Sequence, residues 1–136
     1  MPSIKAGIKN KLVSMGFTPY VYHYDLPQNP RYPATVYWIV DDFAIGHTHD
    51  PLVVGFRKAR VQIDVYALTI AEVENAMESY VAALAGYIGN LSDGQSPETV
   101  WDVSIFDEGE NPPERFKDQA VLKEVRGRSH DFMLLY

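Results

Sequence analysis

The chain has 136 residues, 46% of them hydrophobic and 22% charged, a net charge of −6 and no cysteine. That length and balance match one globular domain and exclude the polar, highly charged make-up of a disordered chain. The missing cysteine removes disulfide frameworks, thiolate metal sites and cysteine nucleophiles.

The charge is uneven along the chain. Residues 1–71 hold seven basic against five acidic side chains, for +2; residues 72–118 hold two against eleven, for −9; residues 119–136 hold three against two, for +1. An acidic middle is the opposite of the basic stripe that grips phosphates. It suits a solvated acidic face, or a surface past which DNA slides without sticking. Lys5, Lys9 and Lys11 are followed by no continuous apolar stretch, so a secretory signal is not expected. No segment reaches the ~18 apolar residues of a membrane helix.

In chain order, Ile4, Ile8, Leu12 and Met15 fall at helical spacing, with Ser3 as a candidate N-cap and Gly16 just past the end. Residues 20–24 (Tyr-Val-Tyr-His-Tyr) read as a short strand, and Pro27, Pro30 and Pro33 turn the next stretch into a rigid loop. Residues 35–40 (Thr-Val-Tyr-Trp-Ile-Val) favour a strand apolar on both faces, central or covered by a neighbouring subunit, that stops at Asp41-Asp42. Residues 43–55 read as a long connection.

From residue 58 the period becomes two: Ala59, Val61, Ile63, Val65 and Ala67 alternate with Lys58, Arg60, Gln62, Asp64 and Tyr66. Thr69 and Glu72 stand at capping-box spacing, which predicts a helix starting at Ile70. Its apolar stripe is Ile70, Val73, Met77, Tyr80, Val81 and Leu84, and Gly86 is placed to end it, although Tyr87 and Ile88 can prolong the contact. Residues 89–98 read as a turn-rich linker and 100–106 as a strand. Residues 107–118, with five acids and Asn111-Pro112-Pro113, read as a loop. Residues 121–125 read as a short strand, and 131–136 as a closing one. The expected fold is α+β over 1–136: one mixed, largely antiparallel sheet packed against an N-terminal helix and a central helix at about 70–87.

Chemistry-bearing patterns are sparse. His47, His49 and Asp50 could share a metal if their segment were extended, but no further ligand follows at the spacing small metalloenzymes use. Incidental loop histidines are the stronger reading. Glycine spacing offers neither a phosphate-cradling loop nor a dinucleotide fingerprint. Tyr20, Tyr22, Tyr24 and Tyr37 could stack bases, yet strand aromatics more often pack in cores or interfaces. No catalytic residue, metal or cofactor is assigned.

The order of parts resembles the tail terminator, or tail-completion, family of long-tailed bacteriophages. The resemblance is carried by the early helix, residues 33–37 (Pro-Ala-Thr-Val-Tyr), residues 60–67 (Arg-Val-Gln-Ile-Asp-Val-Tyr-Ala), the Thr69-capped helix and the ending 128–132 (Arg-Ser-His-Asp-Phe). It implies a non-enzymatic virion subunit at the tail–neck junction, assembled in the host cytoplasm. Such subunits form a ring, commonly a hexamer, that caps the tail tube, stops its elongation and joins the head connector. The partners implied are further copies of the chain, the tail tube protein, the head connector and passing DNA, with no membrane.

On that reading Thr35, Tyr37, Ile39, Lys58, Arg60, Gln62 and Asp64 are candidates for contact between subunits, and Asp107, Glu108, Glu110 and Glu114 for an acidic channel lining. The alternatives are another head–tail neck component, or a small metal-dependent enzyme using His47, His49 and Asp50.

Overall fold

The structure is a computed structural model and describes residues 3–45, 56–111, 114–118 and 123–136, giving for 45, 56, 114–118 and 123 the backbone alone. Helix α1 (Ile4–Met15) buries Ile4, Ile8 and Leu12 on one stripe, and Gly16, at φ 67, turns the chain out of it. Helix α2 (Ile70–Leu84) starts where Thr69 Oγ1 accepts the Glu72 N–H at 3.3 Å and donates to Glu72 Oε1 at 2.9 Å. Its buried stripe is Val73, Ala76, Met77, Tyr80 and Leu84. The helix ends at Leu84 instead of reaching residue 87, because Gly86 turns left-handed at φ 77 and Ile88 joins a strand.

The strands are β1 (Tyr20–His23), β2 (Ala34–Ile45), β3 (Phe56–Ala67), β4 (Ile88–Ser92), β5 (Val100–Glu110), β6 (Glu114–Asp118) and β7 (Lys123–Leu135). Among the described residues they form one mixed sheet in the order β1-β2-β3-β7-β5-β4, with β6 also on β7, and only the β1–β2 pairing is parallel. The α+β architecture is therefore the one the patterning predicts.

Three segments differ from their sequence reading. Strand β2 runs through Asp41-Asp42 to Ile45, because a bulge at Val40 absorbs the irregularity and pairing with β3 resumes at Asp41↔Arg60. Residues 88–92 are a strand, not linker, since β5 supplies the ladder that Gly89 and Asn90 would not favour alone. The acidic residues 107–110 continue β5 past a bulge at Glu108, with Gly109 at φ 116, and 114–118 form β6; both pair with one long strand, β7, which also joins the two short closing segments.

Helix α1 approaches both edge strands, β1 and β4, yet stands off from central β3 and β7, over which α2 lies. That placement requires a sheet curled into a half-barrel with the helices in its mouth. The concave face holds the core: Val61, Ile63, Ile105, Phe132 and Leu134 meet Ile8, Leu12, Met77, Tyr80 and Leu84. Close approach is built in, since a Cβ on Gly7 would lie 3.0 Å from the Trp101 ring.

Candidate functional site

The alternation of β3 decides which side chains face outward. Ala59, Val61, Ile63, Val65 and Ala67 are buried on the concave face, so Lys58, Arg60, Gln62, Asp64 and Tyr66 lie on the convex one. Register extends this assignment across the sheet. Phe43 pairs with Lys58, Lys58 with Leu135, Leu135 with Ser104 and Ser104 with Ile88. The next row is Asp41, Arg60, Met133 and Phe106. Among the described residues no helix packs on this end of the convex face, and its apolar side chains stay in solvent: Ile88 is 81% exposed, Phe106 48%, Val100 48% and Phe43 45%. Lys58 Nζ reaches over the Phe43 ring at 6.0 Å. Arg60 is exposed and, among the described residues, makes no ion pair.

The other end of the same face is closed. Val36, Asp64, Ser129 and Val125 are all buried there, and Gln62 Nε2 donates to Asp64 Oδ1 at 2.9 Å. Between the two ends, exposed Tyr24 stands edge-on to Trp38 with ring centroids 5.8 Å apart. Tyr24 has φ 75, an uncommon conformation for a bulky residue.

The expected contact residues therefore separate. Lys58, Arg60 and Gln62 lie outward at or beside the open end. Thr35 and Tyr37 do not: both are buried under the helices, and Thr35 Oγ1 shares 2.7 Å hydrogen bonds with Tyr80 Oη and Thr18 Oγ1. Ile39 packs half-buried against the same core, and Asp64 is buried within the chain itself. The two-sided apolar character of 35–40 thus comes from helices on one side and the closed end on the other, and no neighbouring subunit is needed to explain it.

The acids expected to line a channel also divide. Asp107 lies on the concave side, 2.5 Å from buried His130, and that hydrogen bond, with the Gly109 N–H, holds its carboxyl below the usual carboxylate range. Glu110 pairs with Arg128, which also reaches Glu74 of α2 at 2.6 Å, so these charges tie β5, β7 and α2 together. Glu108, the bulged residue, is exposed and forms no ion pair among the described residues. Glu114 sits in β6.

The edge strands β1 and β4 are guarded. On β4 the outward carbonyls of Asn90 and Ser92 accept from the Tyr87 hydroxyl at 3.0 Å and Asn10 Nδ2 at 2.9 Å, and Lys11 stacks on the Tyr87 ring at 4.2 Å. Edge β1 has four residues, and its His23 carbonyl accepts the Asp25 N–H at 2.9 Å. Short or capped edges resist strand addition.

Among the described residues no group of three or more His, Asp or Glu side chains is placed to hold a metal. His47, His49 and Asp50 lie outside the described residues. A cavity of about 20 Å³ is lined by apolar side chains, among them Leu12, Val61, Leu84 and Phe132, and by Lys11, whose ammonium stands over the Tyr87 ring. Among the described residues no helix is long and apolar enough to cross a membrane. The chain matches no protein-family model and no curated protein.

Sequence patterning points to Lys58 and Arg60 but not to the apolar side chains around them. Phe43, Ile88, Val100 and Phe106 come from three strands, β2, β4 and β5, and in the sequence Phe43 reads as part of a connection and Ile88 as an extension of the helix. Only the pairing register brings them to one face.

Proposed function

We propose that this chain is a structural subunit that assembles with copies of itself into a ring closing the tail tube of a long-tailed bacteriophage, ending tube growth and presenting the surface that meets the head connector. The observation that carries this reading is the open end of the convex face. Phe43, Phe106 and Ile88 stand in water there, spread across the rows that hold Lys58 and Arg60, and exposed apolar surface on a small protein marks an interaction site. The order of helices and strands, with the capped α2 after β3 and a long closing β7, agrees with the resemblance to tail terminators. Guarded edges support assembly through faces in place of open-ended strand addition.

The test is a tube-assembly reaction. Purified protein added to polymerising tail tube protein should arrest elongation and give tubes of fixed length capped at one end, with rings visible by negative-stain microscopy. Unchanged tube growth, with no density at the tube ends, overturns the proposal.

A further inference from the structure

We infer that residues 106–111 form a strap latched by charge, which opens and closes on β7 as a unit of its own while the rest of the sheet stays folded. The strap does not depend on the ring reading. Strand β5 changes character after Ile105. Its inner part buries Val103 and Ile105 in the core, and Ile105 is bonded on both sides of its backbone, its N–H to Tyr87 O at 2.8 Å and its carbonyl from the Gly86 N–H at 2.9 Å. From Phe106 to Asn111 no residue is buried. Little apolar burial therefore opposes local opening of that stretch.

The side-chain fastenings of the strap are polar. Asp107 Oδ1 meets His130 Nε2 at 2.5 Å, Glu110 pairs with Arg128, and Asn111 Nδ2 donates to Ser129 Oγ and Asp131 Oδ1, each at 3.1 Å. Arg128 also reaches Glu74 at 2.6 Å, so one guanidinium of β7 holds the strap and α2 together. Ion pairs of this partly exposed kind are weak singly and are screened by salt. The bulge at Glu108, with Gly109 at φ 116, is the place where the strap bends. Past the strap β6 pairs with β7 again, and β3 holds the other side of β7, so the middle can lift while both ends stay fixed. Lifting it bares the backbone of β7 from Ser129 to Phe132. With β1 and β4 guarded, that is a pairing edge the fold opens by charge and not by unfolding.

Amide hydrogen exchange of the purified chain, followed by NMR, is the test. The Asn111 N–H, bonded to Ser129 O at 2.9 Å, reports on the strap, and the Ile105 N–H on the inner part of β5. Asn111 should exchange faster than Ile105 in the unsubstituted chain, and raising the salt from about 0.01 M to about 1 M should speed Asn111 while leaving Ile105 unchanged. Asp107→Asn should speed Asn111 by about tenfold and Arg128→Gln by about two- to fivefold, again with Ile105 unmoved. The urea midpoint of each variant confirms that the fold is intact. Equal exchange at the two amides, or a response to salt and substitution that both share, overturns the strap, because the two parts of β5 then open as one.

Discussion

The two faces of the sheet are built from the same strands, often from adjacent residues, yet they have opposite fates. Ile105 is 3% exposed and Phe106, its neighbour, 48%; Ala59 is fully buried and Arg60 is in solvent. The concave face is finished within the chain by α1 and α2, and the buried hydroxyls of Thr18, Thr35 and Tyr80 bond one another there. The open end of the convex face is finished by nothing among the described residues. Alternation makes such a division possible, because a period of two lets one strand serve a core and a contact surface together.

Substitutions can break that comparison, beginning with the largest effect. Phe132→Ala on the concave face removes a fully buried ring from the core that both helices share, and a loss of about 3–5 kcal/mol is expected in urea denaturation. A smaller loss would mean that the core collapses around the gap. Tyr80→Phe keeps the ring, including its edge-on contact with Phe17 at 5.1 Å, but deletes the hydroxyl bonded to Thr35. Losing one buried hydrogen bond should cost about 1–2 kcal/mol, again read from the urea midpoint.

The turn after β4 offers a test by pH. Asp93 accepts the Thr99 N–H at 3.0 Å and the Gln95 N–H at 3.1 Å, and these bonds hold its carboxyl below the usual range. Its contribution is complete above the unfolded value of about 3.9 and is lost as pH falls through the lower folded value. Asp93→Asn should flatten the acid limb of the stability curve and leave its shape near neutral pH unchanged, which denaturation across a pH series will reveal. At the small end, Phe106→Ala on the convex face should alter the stability of the isolated chain by less than about 0.5 kcal/mol while weakening assembly. A large loss of stability with assembly intact would place Phe106 in the core and dissolve the distinction between the faces.

Much of the concave face was legible in the sequence. The alternation of 59–67, the Thr69 cap and the helical stripes of 4–15 and 70–84 are local signals, and each names its own buried side. The convex face was legible only in part. Residues 35–40 are apolar on both sides, and periodicity cannot distinguish cover by Tyr80 of the same chain from cover by a neighbour. Residues 107–110 carry the composition of a loop. They are a strand because His130 and Arg128, some twenty positions further along, meet Asp107 and Glu110, a cross-strand compensation with no trace in local sequence. Ile88 to Ser92 is likewise a strand by virtue of its partner. Where an element's identity depends on what pairs with it, the residues alone name the wrong one.

The seating of α1 bears on how the chain reaches this form. Ile4, Ile8 and Leu12 come to rest against residues that lie much later, among them Leu91, Val103 and Ile105, and Gly7 against Trp101. Helix α1 is too short to be stable by itself in water, so it gains a lasting shape only once β4 and β5 have paired. Such distant contacts slow folding without weakening the final state. A ribosome releases α1 before β4 and β5, and the helix then waits for both strands before it can close the mouth of the half-barrel.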